Sequence, residues 1–319
     1  MRYRFLTEDQ DVWSQNAWDH VPPPDDQDEI IAASLARQKA APVPEEEKTK
    51  YNDKPAKHWD NFYKANAGNF FRNRKWLHLE FPELVHAAEP EAGPLTIAEI
   101  GCGAGNAIFP LLSANRNPEL SLRAYDYSSH AVKVVQSDPL YHAPPVGNIA
   151  AAVWDLSSET LPPGLEECSV DFVILIFVLS ALHPNEWQQA ITNVHKLLKP
   201  GGCVLFRDYG RYDLAQLRFK KNRLLDENFY IRGDKTRVYF FELDELALLF
   251  TGSTVPNSFQ TIDPTSAPII HASLLSTSSD SSHPLFSTEQ LGVDRRLIVN
   301  RKRQIKMYRV WMQGKFRKL

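Results

Sequence analysis

The sequence predicts an α/β protein built on a doubly wound, mostly parallel sheet. Apolar segments with the character of strands alternate with helical patterns between about residues 95 and 210, which is typical of this class. Three of the 14 glycines fall within five positions after the first strand, and acidic residues follow the next two strands. Because such sheets bind ligands at the carboxyl ends of their strands, these residues predict a ligand crevice there.

The predicted strands of the core follow one another in a regular order, at residues 95–100, 120–125, 150–154 and 170–177. The last has little polar interruption, as expected of a parallel strand that is covered on both faces. A helix follows the second strand, and Ser128 or Ser129 can cap it. Apolar residues recur with helical spacing over 187–198, and this helix ends at a Pro-Gly-Gly sequence before a strand at 203–206.

The flanking segments differ from this core in composition. Residues 1–50 hold 6 basic and 11 acidic residues, a net charge of −5, and predict a largely flexible arm with a short helix around residues 30–35. Residues 51–90 combine aromatic and basic side chains and predict one or two amphipathic helices, whose aromatic residues on composition alone favour a core position. The α/β domain covers residues 91–319. Within it, the segment 251–289 has 16 Ser or Thr in 39 residues, which predicts a flexible insertion. The C-terminal segment 292–319 is basic, with ten Lys or Arg and one acidic residue.

Composition excludes several classes of protein. The 43% hydrophobic and 24% charged fractions exclude a wholly disordered or fibrous chain. Three cysteines without ligand spacing predict no disulfide framework and no metal site. The acid-rich N-terminus argues against a targeting peptide, and the longest apolar stretch, 172–179, is too short to span a membrane. We therefore expect a cytoplasmic protein, with a nuclear location as the alternative, and the net charge of −3 gives no sign of a nucleic-acid partner.

The glycine cluster lies in the sequence Glu99-Ile100-Gly101-Cys102-Gly103-Ala104-Gly105, between a predicted strand and a predicted helix. Glycines here let the backbone turn sharply and approach a ligand closely. A dinucleotide fingerprint requires glycine at position 106, where Asn106 stands. The form E-x-G-x-G-x-G is instead associated with S-adenosylmethionine.

Two acidic positions support this cofactor. Asp126 ends the second strand, 21 residues after Gly105, where a carboxylate can accept hydrogen bonds from both ribose hydroxyls. Asp155 and Leu156 close the third strand and are placed to bind the adenine amine and to pack on its ring. Each aspartate alone is equally consistent with a helix cap. Three features in order, at three successive strand ends, favour S-adenosylmethionine.

The acceptor is expected at the fourth and fifth strand ends, which are followed by a segment dense in cations and rings. Residues 211–237 hold eight basic residues against four acidic ones, with aromatic residues between them. This composition suits phosphate contacts and base stacking. The alternative is a solvated face with aromatic residues in the core.

Longer motifs resemble a known family. The segments are Lys57-His58-Trp59-Asp60-Asn61-Phe62-Tyr63-Lys64, Asn69-Phe70-Phe71-Arg72, Glu80-Phe81-Pro82-Glu83-Leu84, 206–218, 228–241 and Asp294-Arg295-Arg296-Leu297. Together they resemble the tRNA N3-methylcytidine methyltransferases from residue 51 to the end of the chain, apart from the Ser/Thr-rich insertion, which departs from the family pattern. The sequence Asn16-Ala17-Trp18-Asp19-His20-Val21 is similar to the branch that acts on threonine tRNAs.

The resemblance implies a class I S-adenosylmethionine-dependent methyltransferase with a Rossmann-like sheet, an N-terminal helical RNA-binding extension and a basic C-terminal segment. Its expected substrate is cytidine 32 in the anticodon stem-loop of tRNA. It implies that Trp59 and Tyr63 close over the cofactor as part of a lid and RNA surface, and that the pocket is lined by Gly101, Gly103, Asp126, Asp155, Leu156 and Ile176. The RNA contacts are expected from Arg72, Arg74, Lys75, Arg211, Arg218, Lys220, Lys221, Arg232, Arg237, Arg295 and Arg296.

The chemistry needs few protein groups, because neutral cytosine carries an in-plane lone pair on N3. Methylation leaves a positive charge on the ring, which a carboxylate can stabilise while it accepts a hydrogen bond from the N4 amine. Asp208, at the end of the fifth strand, is the candidate, with Arg207 and Tyr209 fixing phosphate and base. The alternative is that Asp208 is a structural partner of Arg207 or Arg211.

Three other functions compete with this hypothesis. A catalytically silent RNA-binding subunit has no need of the intact glycine and aspartate set, and a small-molecule methyltransferase has no need of the basic segments. A nicotinamide oxidoreductase is disfavoured by Asn106. The sequence leaves open which tRNAs are chosen, the oligomeric state, and whether an accessory protein or a neighbouring modified nucleotide contributes.

Overall fold

A mixed sheet of eight strands organises the part of the chain that the computed structural model describes, residues 4–66, 68–255, 270–275 and 285–319. The strands of the described residues are β1 (Ala17–Asp19), β2 (Leu95–Ile100), β3 (Leu120–Asp126), β4 (Asn148–Val153), β5 (Val170–Ile176), β6 (Leu198–Tyr209), β7 (Leu224–Asp226), β8 (Phe229–Ile231), β9 (Arg237–Tyr239), β10 (Phe286–Asn300) and β11 (Ile305–Lys318). The α-helices are α1 (Gln27–Lys39), α2 (Glu45–Asn52), α3 (Pro55–Asn66), α4 (Leu77–Glu80), α5 (Pro82–Ala87), α6 (Ile108–Ala114), α7 (Ser129–Gln136), α8 (Pro139–His142), α9 (Trp187–Leu197), α10 (Leu214–Leu217), α11 (Leu243–Thr251) and α12 (Ala272–Leu275).

The strand order of the large sheet is β1-β10-β11-β6-β5-β2-β3-β4. Strands β2 to β6 pair in parallel, whereas β11, β10 and β1 add an antiparallel edge beside β6. Alternate side chains of β5 and β6 enter two different apolar clusters, one on each face. The predicted doubly wound α/β fold is confirmed, since both faces of the sheet are covered.

Local sequence explains where the core elements begin and end. The Ser128 side chain caps α7 by accepting from the Ala131 amide at 3.2 Å, which decides between the two candidate serines. Helix α9 ends at Leu197, three residues before Pro200 of the Pro-Gly-Gly sequence, and buries Trp187 completely. The fifth parallel strand, β6, is longer than predicted, because its pairing with β11 continues from Cys203 to Tyr209.

The N-terminal segment corrects the prediction of a largely flexible arm. Strand β1 pairs with β10, and its Trp18 is 3% exposed. The Gln38 amide of α1 is buried and donates to the Gln216 carbonyl at 2.8 Å, while Tyr230 donates to Gln38 at 2.9 Å. A few well-placed apolar and amide side chains therefore fix an acidic segment that composition alone marks as solvated.

The C-terminal half corrects two further expectations. The basic tail forms a long hairpin, β10–β11, in place of the two short strands that the sequence indicates. The sequence predicts one flexible insertion over 251–289, but α11 extends to Thr251, α12 lies at Ala272–Leu275 and β10 begins at Phe286. Residues 256–269 and 276–284 lie outside the described residues. Among the residues that are described, no helix combines the length and apolar character needed to cross a bilayer.

Candidate active site

The glycine loop after β2 has the conformation that its sequence demands. Gly101, Gly103 and Gly105 all have positive φ, of 66°, 55° and 79°, where other residues are strained. A Cβ on Gly103 would overlap the hydroxyl of Tyr63, which lies directly over the loop. The lid helix α3 therefore meets the loop at a place where only hydrogen fits.

Asp126 is held beside this loop at the end of β3. Its carboxylate accepts from the Gly103 amide at 2.9 Å and from the Ser128 amide at 2.8 Å. Burial raises the pKa of Asp126 to about 6, and the two amide donors oppose that rise. The sequence position thus places a carboxylate that stays mostly ionised at neutral pH and retains lone pairs for a ligand's hydroxyl groups.

Helix α3 is fastened over the loop by Asp60. This carboxylate accepts from the Ser128 hydroxyl at 2.7 Å and from the His130 amide at 3.1 Å. On the same helix, the rings of Trp59 and Tyr63 lie 6.0 Å apart with an interplanar angle of 27°. The predicted lid residues are therefore brought to the glycine loop, and Asp60, which the sequence analysis did not assign, is what positions them.

The remaining pocket residues are placed less uniformly. Asp155 is exposed and accepts from the Ser157 amide at 2.9 Å, so it caps a turn and not a helix, which the alternative interpretation had named. Leu156 and Ile176 are buried, with exposed fractions of 4% and 2%. The Leu156 side chain belongs to the apolar core, and its packing on the adenine ring stays a prediction.

A second group of side chains gathers where β5 and β6 end. Phe177 directly follows β5 and has φ of +60°, a strained conformation for a bulky residue. Its ring lies 4.7 Å from that of Tyr209 at the end of β6. The guanidinium of Arg74 lies 5.3 Å from the Phe177 ring and that of Arg232 lies 5.4 Å from the Tyr209 ring. We call these four residues the aromatic platform.

Asp208 directly precedes Tyr209 of the platform in β6 and is fully buried. Its carboxylate accepts from the Ser180 amide at 3.0 Å and from the Tyr209 amide at 2.8 Å. Burial raises the pKa of Asp208 to about 6. Arg207 pairs with Asp294 and Arg211 with Glu242, so the alternative that Asp208 is a partner of either arginine is wrong.

Comparison with known proteins decides the family. Residues 98–204 match the family described as "Methyltransferase domain". The chain is 47% identical over 315 residues to the "tRNA N(3)-methylcytidine methyltransferase" of Schizosaccharomyces pombe, covering 99% of this chain and 91% of that protein. The chain belongs to the tRNA N3-methylcytidine methyltransferases. It is therefore a class I enzyme that uses S-adenosylmethionine.

Two further relatives agree with this assignment. The "tRNA(Thr) (cytosine(32)-N(3))-methyltransferase" of Saccharomyces cerevisiae is 47% identical over 98% of this chain, although the chain spans only 45% of that protein's length. The "tRNA N(3)-cytidine methyltransferase" of Danio rerio is 39% identical, with 99% of this chain and 88% of the relative covered.

The methyltransferase pocket fits its cofactor on structural grounds. Gly103 admits no Cβ beneath the Tyr63 hydroxyl, and its amide donates to the Asp126 carboxylate, which offers further acceptors to vicinal hydroxyl groups. Gly101, Gly103, Asp126 and the lid residue Tyr63 would hold S-adenosylmethionine at this edge of the sheet. Within the described ranges, His, Cys, Asp and Glu side chains form no group of three that could hold a metal ion.

The structure changes the set of arginines that can reach RNA. Arg237 is 2% exposed and pairs with Glu186 at 3.1 Å, and Arg211 pairs with Glu242 at 2.7 Å. Arg296 pairs with Glu80 and Asp294, and Arg207 is enclosed by protein. Arg211, Arg237 and Arg296 were predicted to contact RNA, and Arg207 to fix a phosphate or base beside Asp208. These predictions are wrong because the four charges are already compensated inside the methyltransferase.

The other predicted cations keep their RNA role as an expectation. Five are exposed, namely Arg72, Lys75, Arg218, Lys220 and Lys221. Arg295 is half-buried, and Arg74 and Arg232 belong to the aromatic platform. The Nε of Arg74 is buried and has no hydrogen-bond partner among the described residues, so an anion brought by a ligand would satisfy it.

Two further site residues escaped the sequence analysis. Asn106, used only to exclude a dinucleotide, donates to the Phe71 carbonyl at 3.3 Å and accepts from the Arg74 amide at 2.8 Å through its own carbonyl. It thereby fastens the segment that carries Arg74 to the glycine loop. The sequence could have indicated Phe177 as a site residue, since it is the last residue of a predicted strand. Its strained backbone conformation could not be predicted from sequence.

Cofactor binding by this methyltransferase is expected to weaken as the pH falls through about 6. Above that pH Asp126 is ionised and accepts hydrogen bonds from ribose hydroxyls, whereas protonation removes acceptor capacity. The limiting slope is about tenfold in affinity per pH unit. Calorimetric titration with S-adenosylhomocysteine between pH 5 and 8 measures it, and Asp126→Asn should bind weakly with no step near pH 6. An identical pH profile in that variant would assign the step to another group.

Proposed function

We propose that this protein transfers a methyl group from S-adenosylmethionine to N3 of cytidine 32 in the anticodon loop of tRNA, with threonine tRNAs as the preferred substrates. The aromatic platform carries the proposal. Two rings flanked by two guanidinium groups lie at the strand ends beside the cofactor loop, and rings and guanidinium planes are what unstacked RNA bases stack on. All three relatives are named for N3 methylation of cytidine in tRNA, and the name of the Saccharomyces cerevisiae relative adds threonine tRNA and position 32.

In this mechanism the protein mainly positions the target cytosine and stabilises the positive charge that develops on its ring. S-adenosylmethionine supplies the electrophilic methyl group. Phe177 and Tyr209 hold the cytosine ring out of its loop stack, so that N3 faces the crevice. Arg74, whose Nε lacks a partner among the described residues, is placed to hold a phosphate of the flipped nucleotide.

Asp208 acts on the ring from a distance. It is 0% exposed and its oxygens accept from two backbone amides, so the direct hydrogen bond to the N4 amine expected from the sequence is withdrawn. A buried ionised carboxylate next to the platform stabilises the positive charge that develops on cytosine, because the charge is fixed and shielded from water.

Replacing Asp208 with asparagine is therefore expected to reduce kcat by more than tenfold while KM for tRNA and the affinity for S-adenosylhomocysteine stay nearly unchanged. Steady-state kinetics and calorimetry separate these quantities. Asp171→Asn is the matched control, because Asp171 lies at the opposite end of β5 and pairs with Lys199 at 2.8 Å; its kcat should match the wild type. Normal turnover in Asp208→Asn would remove this residue from the mechanism.

The proposed function is tested by incubating the protein with labelled S-adenosylmethionine and total tRNA, followed by nucleoside analysis. Label in N3-methylcytidine from threonine tRNA is the expected result. Binding of tRNA without transfer would indicate a silent RNA-binding subunit, and transfer to a small molecule with none to tRNA would indicate a small-molecule methyltransferase.

A further inference from the structure

A basic cleft lies between the lid helix and the turn that joins β8 to β9. It has a volume of about 640 Å³ and is lined by lysines on both walls. Lys50 comes from α2, Lys54 from the link to α3 and Lys57 from α3. Lys235 comes from the turn. We call it the lysine cleft. It lies apart from the cofactor crevice, and the site described above does not use it.

The charges of the lysine cleft are largely uncompensated. Lys50 pairs with Glu47, but the ammonium groups of Lys54, Lys57 and Lys235 have no ion-pair or hydrogen-bond partner among the described residues. Asp53 and Asp234 also line the cleft, so four lysines face two carboxylates there. The Oδ1 of Asp234 is used by the Thr236 amide at 2.9 Å and the Thr236 hydroxyl at 2.7 Å. This contrasts with the paired arginines of the interior, so the cleft attracts an anion from outside.

The two walls connect the cleft to both parts of the active site. One wall is α3, which carries Trp59 and Tyr63 over the glycine loop. The other is the β8–β9 turn, where Arg232 lies over the Tyr209 ring and Lys235 faces the cleft three residues later. A polyanion with one base on the aromatic platform therefore has neighbouring phosphates within the field of these lysines.

Direct contact between the walls is weak. The last residue of α2, Asn52, reaches β9, and its Oδ1 lies 3.5 Å from the Arg237 guanidinium, at the limit of a hydrogen bond. Helix α3 is instead held by Asp60, which accepts hydrogen bonds from Ser128 and His130 at the start of α7. A ligand in the lysine cleft would therefore add contacts between the lid and the β8–β9 turn that the protein alone scarcely makes.

We propose that the lysine cleft binds a backbone phosphate of the RNA next to the target cytidine and thereby couples RNA binding to retention of the cofactor under the lid. This inference rests on the proposed function and adds to it a phosphate site and a coupling. Because coupling between two ligands is reciprocal, RNA that holds α3 in place must tighten cofactor binding by the same factor by which cofactor tightens RNA binding.

The test compares charge-removing variants in the full chain. Lys54→Gln/Lys57→Gln alters the lid wall and Lys235→Gln alters the turn. Lys64→Gln is the matched control, because Lys64 is an exposed residue at the other end of α3, outside the cleft. Affinity for S-adenosylhomocysteine is measured with and without a saturating threonine tRNA transcript, and tRNA affinity is measured from 50 to 200 mM salt.

In the wild type and Lys64→Gln, tRNA should tighten S-adenosylhomocysteine binding at least about fivefold. In both cleft variants this factor should fall below about twofold, while affinity without tRNA stays unchanged. The slope of log affinity for tRNA against log salt should become shallower by about 0.7 for each phosphate that the variant no longer binds. Cleft variants with the coupling and salt slope of Lys64→Gln would overturn the proposal.

Inorganic phosphate distinguishes a free anion from an RNA phosphate. If added phosphate alone tightens S-adenosylhomocysteine binding in the wild type but not in Lys235→Gln, the cleft is a free-phosphate site and the RNA assignment is overturned. If phosphate only competes with tRNA, the assignment is supported. Nucleoside analysis of the wild type is independent, since absence of N3-methylcytidine would refute the proposed function, whereas normal methylation with unaltered cleft variants would refute only this inference.

Discussion

Replacing Arg207 with methionine is expected to lower the free energy of unfolding by about 3–5 kcal/mol. The guanidinium is 2% exposed, lies between the rings of Trp76 and Trp311 at 4.9 and 4.7 Å, and donates to Asp294 and Gln313. Methionine keeps much of the volume but leaves the Asp294 carboxylate, 9% exposed, without this partner. Urea unfolding followed by fluorescence measures the change.

A double variant separates charge from packing in this cluster. Arg207→Met/Asp294→Leu should recover a large part of the loss, because an apolar pair can replace a buried ion pair at little cost. Arg218→Met, at an exposed position, should stay within about 0.5 kcal/mol of the wild type. If Arg207→Met were as stable as Arg218→Met, the buried pair of Arg207 and Asp294 would not contribute to stability.

Replacing Gly103 with alanine is expected to weaken S-adenosylhomocysteine binding by at least about tenfold. The residue has φ of +55°, where a side chain costs about 1–2 kcal/mol, and the new Cβ would overlap the Tyr63 hydroxyl. Either the loop or the lid helix must move, and both border the cofactor. Calorimetric titration gives the affinity, and thermal unfolding shows how much of the effect is loss of stability.

Gly93→Ala is the matched control for this substitution. Gly93 has φ of +75° but no atom within 4 Å of an added Cβ, and it lies before β2, away from the strand ends. It should lose stability through strain and keep wild-type affinity. Tyr63→Phe should partly restore binding to Gly103→Ala, because it removes the overlapping hydroxyl. Equal affinities in Gly103→Ala and the wild type would show that the loop does not approach the cofactor.

The order of strands and the cofactor loop were predictable because the information is local. Gly101, Gly103 and Gly105 indicate a turn in the left-handed region, and Asp126 follows a strand at a fixed distance along the chain. Parallel strands then bring such ends to one edge of the sheet as a matter of topology. The family likewise followed from long contiguous motifs, and the relatives confirm it.

Charge pairing was not predictable, because it depends on residues far apart in the chain. Arg207 and Asp294 are 87 residues apart, and Arg296 and Glu80 are 216 apart. Composition counts such arginines as free cations, so it overstated the RNA surface and placed Arg211 and Arg237 on it. The same reasoning treated the acidic N-terminal segment as solvated, although Trp18 and Gln38 are buried against distant strands.

By itself, then, the sequence determined the class of sheet, the cofactor turn and the family of this protein. Each of these depends on contiguous residues, whose backbone preferences do not depend on distant partners. Only the tertiary structure decided which cations are available to RNA, that Asp208 is buried next to an aromatic platform, and that the lysine cleft joins the lid to the β8–β9 turn. The physical reason is that burial and ion pairing are properties of the neighbours that folding assembles, and these come from every part of the chain.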